Sequence, residues 1–326
     1  MFSRSSILCG PIRLLAASAV LGLGFHARAV VFYETADPGH NATAPTGQYA
    51  DSGWQYEGIF GGFLGTMISP QLFITAQHIG VQSTTFVSSS LFNGVADVTY
   101  TIDTSANSNV GYWDITGTDL RIYKVNETFP VYAELYTASN EIGQTLVTNG
   151  LGGPRGDEVI VASESKGWET GGSDGIARWG ANEVSAIYST PVGDVLAAEF
   201  NAVNGVEETF LASGDSGGGL FIKDGATWKL AGVNYAIEEN FDTNNITGDG
   251  SEFTGAIFDK GGLYQGSDAG GWTLVPNTGT DIPEQFFASR ISTNVTDINA
   301  IIQAVPEPGS AWLLATGLLA IRRRRR

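Results

Sequence analysis

Gly214-Asp215-Ser216-Gly217-Gly218-Gly219-Leu220-Phe221-Ile222 sets one serine among four glycines, directly ahead of an apolar run. Glycines beside a serine let the backbone turn sharply and approach a bound molecule closely. A serine hydroxyl is a weak nucleophile until a base takes its proton, and the oxyanion formed on attack needs backbone N–H donors aimed at it. A glycine at 214 can present its amide without a side chain in the way. Taken alone, such a run is also ordinary turn chemistry. A catalytic reading therefore requires a base and an orienting acid elsewhere in the chain.

The base is sought among three histidines. His78 ends the β-like run Leu72-Phe73-Ile74-Thr75-Ala76-Gln77-His78-Ile79, and imidazole is the side chain that serves as base and then acid near neutrality. His26 lies in the N-terminal leader, and His40 sits in Pro38-Gly39-His40-Asn41, which reads as an exposed turn. For the acid, Asp119 opens the strand-like run Thr118-Asp119-Leu120-Arg121-Ile122-Tyr123-Lys124-Val125. A carboxylate there would fix the imidazole tautomer and stabilise the imidazolium. Asp114, in Trp113-Asp114-Ile115, competes for the role; Asp119 is preferred because an apolar strand follows it directly.

Around these residues, short apolar or alternating runs at 63–68, 72–75, 120–125, 145–148, 159–162, 219–222 and 229–234 are separated by Gly, Asn, Asp, Ser and Pro. That spacing reads as an all-β fold, and the 43 glycines suit a protein of strands and turns. One helical period occurs at 294–303, where Val295, Ile298, Ile301 and Ile302 share a face. Residues 238–284, rich in Gly, Asn and Asp, read as an insertion between late strands. Asp242, Asn244, Asp249 and Glu252 there carry the oxygen ligands Ca²⁺ prefers, although a solvated polar loop is the favoured reading and no metal is expected.

The ends are separate signals. Arg4 and Arg13 precede an apolar run from Leu14 to Phe25 and then Ala27-Arg28-Ala29, the pattern of a signal peptide over residues 1–29, cleaved before Val30 by signal peptidase. At the other end, Val305-Pro306-Glu307-Pro308 leads into an apolar run from Ala311 to Ile321 and five arginines, Arg322 to Arg326. The run is short for a spanning helix, which needs roughly 20 residues, and the arginines favour the cytoplasmic side. The segment implies transient membrane contact. What lies between, residues 30–304, carries nine basic residues against 33 acidic ones, a net charge of about −24. So acidic a surface repels phosphate backbones and argues against nucleic acid as a partner. The single cysteine is Cys9, so the exported part has neither disulfide nor thiol chemistry.

Two resemblances follow. Residues 305–326 resemble the PEP-CTERM sorting signal of Gram-negative bacteria, which implies removal by an exosortase-type enzyme and an address in the cell envelope or extracellular matrix. The chain between the ends resembles the trypsin-like serine peptidases: Thr75-Ala76-Gln77-His78, Asp119-Leu120-Arg121-Ile122-Tyr123 and Gly214 through Gly218 match that family's three motifs in its order. Supporting matches are Gly61-Gly62-Phe63-Leu64, Val147 through Gly152, Leu230-Ala231-Gly232-Val233 and Ser289-Arg290-Ile291-Ser292.

The peptidase resemblance implies two six-stranded antiparallel β-barrels over residues 30–304, with His78, Asp119 and Ser216 as a triad in the cleft. The amides of Gly214 and Ser216 would form the oxyanion hole, and no cofactor is needed. It also implies a secreted endopeptidase acting on protein or peptide through an acyl-enzyme. The alternative from another class is a non-catalytic envelope or matrix protein that keeps the fold for binding. The sequence departs from the family at Gln77, Ile79 and Gly219, where alanine, cysteine and proline are usual. By the family's pattern the base of the specificity pocket is Phe210, six residues before the serine, which favours apolar or small side chains over Arg or Lys. A new N-terminus at Val30 is expected to pair with Asp215 and order the oxyanion hole.

Overall fold

A computed structural model of the chain describes residues 30–305, apart from 38, 171–174, 203–204 and 239. The expected leader and sorting segment lie outside the described residues. After β1 (Val31–Phe32), the first large sheet is built from β2 (Glu57–Phe60), β3 (Phe63–Ser69), β4 (Leu72–Ala76), β5 (Thr85–Ser88), β6 (Val98–Thr101), β7 (Tyr112–Asp114) and β8 (Leu120–Lys124). Its order is β6-β5-β2-β3-β4-β8-β7, with every ladder antiparallel.

The second half holds β9 (Thr145–Gly150), β10 (Arg155–Val161), β11 (Glu164–Thr170), β12 (Arg178–Glu183), β13 (Ala186–Thr190), β14 (Gly193–Glu199) and β15 (Thr209–Phe210). It continues with β16 (Gly219–Asp224), β17 (Thr227–Ile237), β18 (Asn240–Asp242), β19 (Gly255–Ile257), β20 (Tyr264–Ser267), β21 (Gly271–Leu274) and β22 (Gln285–Arg290). Seven of these form the second large sheet, in the order β12-β9-β16-β17-β22-β14-β13. The stretch expected as an insertion does fall between β17 and β22, but it is built of strands: β18, β20 and β21 pair with one another, and β19 joins β10 and β11.

The all-β expectation holds; the expected six-stranded closed barrels do not. Each large sheet has seven strands. In the first, β6 and β8 come together around the Ile102–Val125 bridge, where Asp103 N–H donates to Lys124 O at 2.8 Å and Asn126 N–H to Thr101 O at 2.9 Å. In the second, β12 and β14 meet where the Asn182 side-chain amide donates to the Glu199 carbonyl at 2.8 Å. Among the described residues the terminal strands of each order, β6 with β7 and β12 with β13, share no ladder, and closed six-stranded barrels are not shown.

Each sheet has its own core. In the first, the Phe73 ring stacks on Phe86 at 4.2 Å and on Tyr123 at 5.2 Å, and Phe60 packs on Tyr123 at 4.7 Å. Those rings fit because Gly58 carries no Cβ: one built there would lie 2.2 Å from the Phe86 ring. In the second, Leu146, Leu196, Phe200, Phe210, Leu220 and Phe286 are buried together with Val30 and Val31. The connection between the sheets is held at both ends, since Ala133 N–H donates to Met67 O at 2.8 Å and Tyr136 N–H to Leu230 O at 2.8 Å. A buried ion pair, Arg290 to Glu141 at 2.8 Å through each of Nε and Nη2, ties β22 to the segment entering β9. The helical period is real: Val295–Ala304 is a helix that buries Ile298 and rests Val295, Ile301 and Ile302 on the first core.

Candidate active site

Strand pairing brings the first two residues together. In the β4–β8 ladder Ala76 faces Leu120, and one residue further out Gln77 N–H donates to Asp119 O at 2.7 Å. His78 thus emerges from the end of β4 beside the residue that starts β8. Asp119 holds it by two bonds: the His78 main-chain N–H donates to Oδ1 at 2.8 Å, and the ring Nδ1 to Oδ2 at 2.7 Å. The Asp119 side chain is 6 % exposed and that of His78 is 40 % exposed. The carboxylate is therefore shielded from water while the far edge of the imidazole opens to it.

Ser216 comes from the second sheet, in the turn that feeds β16. His78 Nε2 lies 2.8 Å from Ser216 Oγ. A carboxylate can only accept, so Nδ1 carries the proton, and neutral imidazole then leaves Nε2 free to accept from the serine hydroxyl. The serine turn is clamped by Asn234 on β17. Gly217 N–H donates to Asn234 O at 3.0 Å, Asn234 N–H donates to Gly218 O at 2.9 Å, and Asn234 Nδ2 donates to Asp215 O at 3.1 Å. Thr148 Oγ1 donates to Asn234 Oδ1 at 2.8 Å and fixes which way the amide faces.

The glycines after the serine are a packing requirement. A Cβ at Gly217, whose φ is +85°, would lie 2.2 Å from Thr75 Oγ1, and one at Gly218 would lie 2.1 Å from Asn149 O. Gly219, where proline is usual, uses the amide proline lacks: its N–H donates to Glu57 Oε1 at 3.0 Å. Glu57 is fully buried and also accepts from Thr66 and Asn149 through Oε1, while its Oε2 has no partner. Burial pushes its carboxyl up to about 8, against the pull of the bonds from Gly219, Thr66 and Asn149.

Gly214 has φ +102°, a conformation open to glycine and costly for other residues. Among the described residues, neither the Gly214 nor the Ser216 amide donates to another protein group. Both donors at the expected oxyanion position are thus uncommitted.

Three sequence expectations come out differently or remain apart. Asp114, the competing acid, is turned away: it forms a two-point ion pair with Arg121, at 2.6 and 3.0 Å. The expected Val30–Asp215 pair belongs to a chain newly cut before Val30; in the uncut chain Val30 is joined to residue 29. Val30 is buried beside Val31 in the second core, and residue 30 carries a peptide N–H rather than an ammonium. Both Asp215 oxygens are already engaged, Oδ1 by Gly152 N–H at 3.0 Å and Oδ2 by Ala212 N–H at 2.7 Å. Burial pushes the Asp215 carboxyl up to about 8, while the amides of Ala212, Gly152 and Leu151 and the Arg178 charge draw it down.

Phe210 is not a pocket residue. It lies on β15, paired with Val31, and its fully buried ring packs on Phe200 at 5.6 Å and Phe286 at 5.7 Å. The cleft beside the serine, about 160 Å³, is lined instead by Leu211, Ala212, Ser213, Tyr235, Ala236 and Ile237 with Asp215, Ser216 and Asn234. The motif spacing missed these residues; the apolar run continuing past Asn234 along β17 was the signal that pointed to them.

Residues 304–326 match the family described as the PEP-CTERM protein-sorting motif. That signal indicates export and association with the cell envelope of Gram-negative bacteria and implies recognition by an exosortase-type sorting enzyme. No curated protein matches the chain. No helix among the described residues is long and apolar enough to cross a membrane.

Proposed function

We propose that the chain is an exported serine endopeptidase, related in plan to the trypsin-like peptidases, that cleaves peptide bonds through an acyl-enzyme. The observation that carries this reading is the unbroken relay from Asp119 Oδ2 to His78 Nδ1 and from His78 Nε2 to Ser216 Oγ, at 2.7 and 2.8 Å. In this mechanism Ser216 Oγ attacks the scissile carbonyl carbon as His78 Nε2 takes its proton. Asp119 stabilises the imidazolium so formed, and the Gly214 and Ser216 amides receive the developing oxyanion. His78 then passes the proton to the leaving amine, and water repeats the sequence on the ester.

The cleft adjoining Ser216 supports an apolar or small side chain ahead of the cleaved bond. Its walls are Leu211, Ala212, Tyr235, Ala236 and Ile237, and its one carboxylate, Asp215, is taken up by backbone amides. An Arg or Lys side chain would enter without a free counter-charge.

The test is labelling with a fluorophosphonate probe, which reacts with activated serines. Wild-type protein should label, and Ser216→Ala and His78→Ala should not. A folded wild-type protein that does not label overturns the enzymatic reading in favour of a non-catalytic binding protein of the envelope.

A further inference from the structure

Five residues beyond Ile237 of the cleft, β18 ends on Asp242 and the chain makes a loop back to Phe253. The neck of that loop is shut by a reciprocal pair of main-chain bonds, Phe241 N–H to Phe253 O at 2.9 Å and Phe253 N–H to Phe241 O at 2.8 Å. Inside the neck, Asp242 is fully buried. Its Oδ1 accepts from Asn244 N–H at 2.9 Å and from Ser251 Oγ at 2.7 Å, whereas its Oδ2 meets no donor. Asp249 and Glu252 are exposed, and one carboxylate oxygen from each of Asp242, Asp249 and Glu252 lies within 4.8 Å of the others. Among the described residues, no lysine, arginine or histidine forms an ion pair with any of the three.

Two costs meet at this point. Three carboxylates converge without a cation, and one of them has a buried oxygen with no hydrogen-bond donor, which is unfavourable when left uncompensated. A hard divalent cation removes both at once. The donors are all oxygen and unevenly spaced in the chain. Ca²⁺ accepts six to eight oxygens in flexible geometry and completes its shell with water, whereas Mg²⁺ demands near-ideal octahedral placement.

We propose that the loop from Asp242 to Glu252 is a Ca²⁺ site, with Asp242, Asp249 and Glu252 as carboxylate ligands. Asn244 and Ser251 hold the ligands in place: Asn244 Nδ2 donates to Asp249 Oδ2 at 3.0 Å, and Ser251 N–H to Asp249 Oδ1 at 2.9 Å. Because Asp242 follows Ile237 by only five residues, the ion would anchor the chain close to the end of the strand that lines the cleft with Tyr235, Ala236 and Ile237. The site stands on its own geometry, whatever the chemistry at Ser216.

The experiment is calorimetric titration of the chelator-treated full chain with CaCl₂ and, separately, MgCl₂, together with thermal unfolding in each salt and in EGTA. Ca²⁺ should bind one to one, with Kd between about 10⁻⁶ and 10⁻³ M, and raise the unfolding temperature more than Mg²⁺ at equal concentration. Asp249→Ala, at an exposed position, should weaken Ca²⁺ at least about ten-fold, the loss of one charged ligand, while leaving the unfolding temperature in EGTA unchanged. Asp242→Asn should lose the calcium-dependent rise. No binding heat and no thermal shift at 10⁻² M CaCl₂, about ten times the weakest Kd expected, overturns the proposal, as does wild-type affinity in both variants.

Discussion

Glu57→Gln tests whether the serine turn rests on a neutral carboxyl. Burial raises the Glu57 carboxyl from 4.5 to about 8, so the folded protein keeps a proton there through the neutral range while the unfolded chain releases it near 4.5. For an acid whose folded pKa is raised, the stabilising contribution is complete below the unfolded value and is lost as pH rises towards the folded one. The loss runs at roughly 1.4 kcal/mol per pH unit, or about 3 kcal/mol between pH 5 and pH 7 for this group alone. Glutamine keeps the shape and a carbonyl oxygen for the Thr66, Asn149 and Gly219 donors, but does not titrate. Its amide takes the position of Oε2, which has no partner; the O–H of the neutral wild-type carboxyl is unpaired at the same place, so both proteins carry that cost at pH 5. The two proteins should therefore be close in stability at pH 5, and the variant should gain on the wild type by about 3 kcal/mol by pH 7. Urea unfolding followed by tryptophan fluorescence at pH 5, 6, 7 and 8 measures this. The raised carboxyls of Asp215 and Glu284 add their own slope to both proteins and cancel in the difference. Parallel stability curves for wild type and variant would refute the reasoning.

Asp119→Asn should lower kcat on a peptide substrate by about 10³–10⁴-fold with little change in KM, because the wrong tautomer is held against Ser216. Asp114→Asn, which breaks only the pair with Arg121, should leave kcat within about two-fold, as expected for a residue outside the relay. Phe210→Ala should cost about 3–5 kcal/mol in urea unfolding, the range for a deleted core ring, without altering which peptides are cleaved. Ala236→Val should do the reverse, narrowing the cleft and shifting cleavage towards smaller side chains in a peptide library.

The strands around the site were legible because a buried strand needs a run of apolar residues bounded by turn formers, and residues 72–75, 120–125 and 219–222 each have that form. The three candidate residues were legible for a similar reason, since His78, Asp119 and Ser216 stand at strand ends where a side chain can leave the sheet. Glu57, Asn149 and Asn234 were not legible. Each looks like one polar residue in a strand, and its value lies in partners on other strands and turns, 9 to 162 residues away. The acidic loop at 242–252 showed its oxygen ligands but gave no sign that Asp242 would be buried with an unpartnered oxygen.

By itself, the sequence determined an exported, all-β chain with its one cysteine at position 9, a sorting signal at its end and a serine, a histidine and an aspartate placed to meet. Hydrophobic period, turn chemistry and charge are local properties, and they survive in the linear order of residues. The tertiary structure alone decided the seven-stranded sheets, the turning of Phe210 into the core, the clamp of Asn234 on the serine turn and the engagement of both Asp215 oxygens by backbone amides. Those outcomes depend on register and on which distant backbone groups come into hydrogen-bond range. A shift of one residue in a strand reverses the face to which a side chain points.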